Sequence, residues 1–155
     1  MAIHTRDFEE GDRTECARLL NELPEWFGIA EANAAYIDVL GTIPTAVALR
    51  KGQLLGFVAL EQHNSRSVEI HVLAVNREYH NQGVGSALIA WSESRCSNMN
   101  VPWLHVKTRG PSTPDPDYAR TRSFYRAKGF DPLFESLTHW GPEDAALILV
   151  KKLSA

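Results

Sequence analysis

The spacing of apolar positions along the chain changes several times, and each change marks an element. In residues 15–23, Cys16, Leu19, Leu20 and Leu23 recur at three- and four-residue intervals, the stripe of an amphipathic helix. Pro24 stops it, because a proline offers no N–H to continue the helical ladder. A second helix is predicted over 30–40, joined to the first by an aromatic connector containing Trp26 and Phe27. Residues 45–49 and 54–61 alternate or run apolar around Lys51-Gly52, which predicts a hairpin, and residues 67–75 extend its sheet. From Gly83 the period returns to helical, with Val84, Ala87, Leu88 and Trp91 on one face. A strand is predicted over 103–108, a proline-rich loop over 110–117 and a helix over 118–128 stopped by Gly129. Two strands, 132–137 and 145–151, close the chain around Gly141-Pro142, and one short strand over 2–6 opens it. This order predicts an α/β fold whose mixed, mostly antiparallel central sheet is flanked by helices.

A length of 155 residues with 44% hydrophobic and 23% charged positions fits one domain, 1–155, with a single core. The formal charge of −3 supplies no basic field, so nucleic acid is not an expected partner. The apolar runs are too short to span a bilayer and the first residues lack a signal-peptide core, so no membrane partner is expected and the reading is cytoplasmic. Cys16 and Cys96 read as reduced, half-buried thiols. His63, His105 and His139 show no metal-ligand spacing, and no metal site is expected.

The informative stretch is the strand ending Leu73-Ala74-Val75, the polar turn Asn76 to Gln82, and the helix opened by Gly83-Val84-Gly85. Amides at a helix start point outward, the helix dipole adds positive potential, and glycine removes the Cβ that would hold an anion away. The turn therefore nominates a pyrophosphate-bearing cofactor. A dinucleotide fold needs a third small residue, where this chain has Leu88, and a carboxylate about 20 positions later, where it reads Trp103-Leu104-His105-Val106-Lys107. A nucleoside-triphosphate loop needs a Gly-Lys pair followed by Ser or Thr, and the chain has none.

The run His80-Asn81-Gln82-Gly83-Val84-Gly85 after Leu73-Ala74-Val75 resembles the first cofactor motif of the GNAT superfamily of N-acetyltransferases. The helix Thr121 to Lys128, with Tyr125 four residues before Gly129-Phe130, is similar to the second. The resemblance covers residues 66–135 closely. It implies the mixed-sheet acyl-CoA acyltransferase fold, acetyl-CoA as acyl donor, and direct transfer to a primary amine of a small molecule or peptide. It assigns main-chain contacts with the donor to Leu73 and Val75, and the phosphate cradle to His80, Gln82, Gly83, Val84, Gly85 and Ser86. It makes Glu69 the general base, with burial raising its carboxyl toward neutrality. His71, on the same strand face, is the reserve base. Tyr125 is the acid that reprotonates the departing sulfur. His80 stands where the superfamily usually has Arg or Gln, and Tyr118 where it often has Asn. Trp26, Phe27, Tyr36, His139 and Trp140 fall where the superfamily walls its acceptor site. The alternative is a non-catalytic acyl-CoA-binding or sensing domain. The sequence leaves the acceptor and homodimer formation open.

Overall fold

A computed structural model describes residues 2–153. Its elements are β1 (His4–Asp7), α1 (Arg13–Asn21), α2 (Ala30–Asp38), β2 (Thr45–Arg50), β3 (Gln53–Asn64), β4 (Ser67–Val75), α3 (Val84–Asn98), β5 (Trp103–Arg109), α4 (Pro116–Ala127), β6 (Asp131–Ser136) and β7 (Ala146–Lys152). Short 3-10 turns lie at Glu10–Asp12 and Arg77–Tyr79. The strands follow the order β1-β2-β3-β4-β5-β7-β6, and the fold is the expected mixed α/β sheet with helices. Among the described residues no helix is long and apolar enough to cross a membrane. The chain forms two compact units, Met1–Glu61 with Ile70–Arg95, and Gln62–Glu69 with Cys96–Ala155.

In the first unit β2 and β3 pair antiparallel from Thr45↔Ala59 to Arg50↔Gln53. The two residues between them, Lys51 and Gly52, both have positive φ, 52° and 78°. That geometry gives a two-residue turn the twist of its flanking strands, which is why Lys-Gly closes the hairpin here. The apolar stripe of α1 packs Cys16, Leu19 and Leu20 against Val47, Leu49, Phe57, Ala59, Val72 and Ala74. Burial pushes the Cys16 thiol up to about 12, so it packs as an inert small hydrophobe. The helix begins at Arg13, two residues before its predicted start. The Arg13 guanidinium donates to the carbonyls of Ile37 and, at 2.8 Å, Leu40, satisfying acceptors that α2 leaves open as it ends.

Gly56 sets the distance between β3 and the strand and helix beside it. A Cβ at this position would lie 2.7 Å from the Ala74 carbonyl oxygen, 3.1 Å from Val84 Cγ1 and 3.3 Å from Leu88 Cδ1. The first neighbour is backbone and cannot swing aside. Gly56→Ala is therefore expected to destabilise the fold by about 1–3 kcal/mol, the usual cost of overpacking. Thermal denaturation checks this; an unchanged midpoint would show that β4 and the start of α3 draw back freely.

In the second unit β7, last in the chain, lies between β5 and β6. It pairs antiparallel with β5 from Trp103↔Lys152 to Arg109↔Ala146, and with β6 from Asp131↔Val150 to Ser136↔Ala146, with a register shift at Pro132/Phe134. Helix α4 starts two residues before its predicted position. Asp115 accepts from the amides of Asp117 (2.9 Å) and Tyr118 (3.4 Å), and Pro116 takes the first turn, where its missing N–H costs nothing. The helix ends at Gly129, φ 92°, with the Phe130 amide donating to the Tyr125 carbonyl at 3.0 Å and Phe130 fully buried.

Candidate active site

The turn after β4 is fixed before the helix begins. The Asn76 amide donates to the Leu55 carbonyl at 2.8 Å, and the Asn76 side chain accepts from the Glu78 amide at 3.0 Å. Arg77 forms an ion pair with Glu25, tying the turn to the segment after α1. Asn81 and Gly83 then take positive φ, 62° and 90°, which rotates the backbone into α3. An added Cβ at Gly83 would meet nothing nearer than Ile3 at 4.0 Å, so glycine is required here for its φ and not for space.

The Ala87 amide donates to the Gly83 carbonyl at 3.0 Å. The amides of Gly83, Val84, Gly85 and Ser86 precede it and have no carbonyl one turn back within the helix. They form the positive end of a 15-residue helix.

The polar side chains of the turn fold back onto it. His80 Nε2 lies 2.9 Å from the Val75 carbonyl, and its ring stands edge-on to Trp26 at 5.6 Å. A carbonyl only accepts, so Nε2 carries the proton. Gln82 Nε2 donates to the Glu78 carbonyl at 3.0 Å. Both side chains are thus engaged with the local main chain.

On β4, Val68, Ile70, Val72 and Ala74 are buried, while Ser67, His71, Leu73 and Val75 are half-buried. The strand's two-residue period sets Glu69, His71, Leu73 and Val75 on one face.

The state of Glu69 differs from the expectation. It is 6% exposed, with Oε1 2.6 Å from His63 Nε2 and Oε2 2.7 Å from Lys107 Nζ. Burial pushes its carboxyl up, but the hydrogen bonds from Lys107 and His63 outweigh burial and hold it below the ordinary carboxylate range. Both oxygens are already engaged by protein donors. His105, tilted over His63 at 5.7 Å, is pushed below its ordinary value, chiefly by burial.

His71 has a different setting. Its Nδ1 is 3.2 Å from Glu61 Oε2, and its ring meets the edge of Tyr36 at 5.2 Å; Tyr36 in turn packs edge-on to Phe27 at 6.0 Å. Lys107, His63 and Glu61 are partners that the sequence reading did not assign. The signal was present as Glu61-Gln62-His63 and Glu69-Ile70-His71, the same Glu-x-His triplet on two consecutive antiparallel strands, which sets each carboxylate beside an imidazole.

Tyr125, in the second unit, is 5% exposed, with Phe124 and Phe130 edge-on at 5.2 and 5.4 Å. Burial pushes its hydroxyl further above the ordinary phenol value, so it stays protonated at neutral pH.

A strand, a glycine-opened helix and a second helix ending in Tyr-x-x-x-Gly-Phe within a mixed sheet define an acyltransferase-type fold. The acetyltransferase (GNAT) domain family matches residues 42–132, more than half of the chain, and the chain belongs to that family. No curated protein sequence matches it. Among solved structures, Ard1 from Thermoplasma volcanium shares 19% identity with full coverage of both chains and a TM-score of 0.82. Aminoglycoside 6'-acetyltransferase type Ii shares 17% identity over 100% of this chain and 99% of its own, with a TM-score of 0.78. A GNAT family acetyltransferase from Elizabethkingia anophelis, crystallised with acetyl-CoA bound, shares 16% over 97% and 98%, with a TM-score of 0.74. At these identities the likeness is one of fold.

Proposed function

We propose that the chain is an acetyl-CoA-dependent N-acetyltransferase, passing the acetyl group directly to a primary amine of a small molecule or peptide in a ternary complex. The observation that carries this reading is Gly83 at φ 90°, opening a long helix after β4 with four amides free of helical partners. The acetyl-CoA bound to the Elizabethkingia anophelis relative supports the choice of donor, and the aminoglycoside enzyme supports an amine acceptor.

In this reading the amides of Gln82 to Ser86 hold the diphosphate, with His80 bracing the turn from behind. The main chain of Leu73 and Val75 aligns the thioester arm along β4. The face carrying Glu69 and His71 receives a proton from the amine, and Tyr125 supplies one to the sulfur. An alkylammonium acceptor first loses one proton to the base. Its nitrogen then forms the C–N bond, the C–S bond breaks, and the sulfur takes the Tyr125 proton. The second proton leaving nitrogen balances the one given up by Tyr125. The whole chain acts as one cytoplasmic catalytic domain.

Calorimetry with acetyl-CoA, paired with thiol release over a panel of small amines, aminoglycosides and peptides, tests this. Binding in the micromolar range and turnover of at least one amine are expected. In Gly83→Ala, a Cβ in a backbone region costing about 1–3 kcal/mol is expected to weaken acetyl-CoA binding about 10- to 100-fold. Binding without turnover would favour an acyl-CoA sensor, and no binding would overturn the reading.

A further inference from the structure

Two carboxylate–imidazole pairs cross the β3–β4 hairpin, and they are not equivalent. Glu69 is buried between His63 and Lys107, one donor on each oxygen. Its charge is matched, and a proton arriving there must compete with a donor already in place on either oxygen. In the other pair, the side chains of Glu61 and His71 are 43% and 28% exposed, so this pair is reachable from solvent.

We infer that His71, oriented by Glu61, is the group that takes the proton from the acceptor amine. The inference rests on the acetyl-transfer reading and names the base within that site. Position supports it: along one face of β4, stepping back from the glycine turn, come Val75, Leu73 and then His71, about 6.6 Å per pair of residues. The next side chain beyond the proposed donor-arm contacts is therefore His71. Orientation supports it as well. With Glu61 Oε2 3.2 Å from Nδ1, the proton of the neutral ring resides on Nδ1 and leaves Nε2 as the acceptor. A T-shaped contact with Tyr36, ring centroids 5.2 Å apart, restrains the ring plane. The titratable groups facing His71 are Glu61 from β3 and Tyr36 from α2, and Glu69 precedes it by two residues on β4. Nε2 accepts the ammonium proton, the freed nitrogen pair attacks the thioester carbon, and the imidazolium returns that proton to water.

Two measurements on the full chain test this. Nitrogen NMR of the imidazoles is expected to show neutral His71 protonated at Nδ1 in the native chain and redistributed toward Nε2 in Glu61→Ala. A native ring protonated at Nε2 would overturn the inference. With whichever amine the panel identifies, kcat/KM is expected to rise with pH along a limb that belongs to the base, since the base must be neutral to act. His71→Asn and His71→Gln should both lose that limb and fall about 10²- to 10⁴-fold at neutral pH, with acetyl-CoA affinity retained. Retention of the limb in both variants, or its loss only in Glu69→Gln, would assign the base elsewhere and leave the acetyl-transfer reading standing. Acetyl-CoA binding with no amine turned over would remove that reading and the role of His71 with it.

Discussion

Tyr125→Phe is expected to lower kcat by about 10²–10⁴-fold while leaving acetyl-CoA affinity nearly unchanged, the pattern of losing a group used only in the transition state. The residue suits such a test because Phe keeps the edge-on contacts with Phe124 and Phe130 and removes only the oxygen. Burial holds the hydroxyl well above its ordinary value, so it is protonated whenever the enzyme is folded near neutrality. A thiolate, with a reference thiol pKa of about 8.5, is too weak a base to strip such a phenol unaided. In the proposed reaction the hydroxyl would therefore stabilise the sulfur by hydrogen bonding as charge develops, and its proton would transfer as the acidic ammonium-like nitrogen of the tetrahedral adduct replaces it. Steady-state thiol release measured beside calorimetric affinity separates the outcomes. An unchanged kcat would mean that sulfur departs without help from Tyr125.

How much of this was legible in the sequence depends on the range of the interactions involved. Lys51-Gly52, Gly83 and Gly129 each impose a positive-φ backbone, and the turn, the helix start and the helix end all fall where these residues predict them. β4 runs Ser67–Val75 as the apolar pattern indicates. Start positions slip where a side chain outside the stripe takes over: Arg13 reaches two α2-end carbonyls, and Asp115-Pro116, which reads as loop, caps a helix. β3 runs to Asn64 instead of ending near 61, because its polar end carries His63 and pairs without an apolar signature. That extension hid the paired Glu-x-His triplets. The charge state of Glu69 was out of reach for another reason. Burial was foreseeable, but its sign is overturned by Lys107, 38 positions away and brought near only by strand order. His80 shows the same limit: its type suggested a phosphate contact, whereas its ring meets the Val75 carbonyl and Trp26. Local backbone chemistry is written in the sequence, while the partner of a long polar side chain is chosen by the assembled sheet.

Lys107→Met is expected to cost about 3 kcal/mol of stability at neutral pH, near the lower end for stripping one partner from a buried ion pair, because His63 still pairs one oxygen of Glu69. Methionine keeps the apolar stem, so the loss reports the charge. For a domain of this size it corresponds to a fall in Tm of roughly 6–12 °C. The pH dependence gives the sign. In the native chain the Glu69 carboxyl lies below its ordinary value, so its contribution is fully present above the unfolded-state carboxylate range and is lost as pH falls through the lower, folded value. Without Lys107, burial raises the carboxyl and the relation reverses: the ionised form is penalised above that range, and protonation on acidification relieves it. The difference in unfolding free energy between the two proteins should therefore be largest near neutrality and shrink as pH falls through the carboxylate range, measured by urea denaturation at several pH values. A difference that does not vary with pH would reduce Lys107 to a packing residue. Adding Glu69→Gln to Lys107→Met should recover part of the loss at neutral pH, because no unmatched charge then remains to be buried, and the double-mutant cycle isolates the coupling between the two side chains.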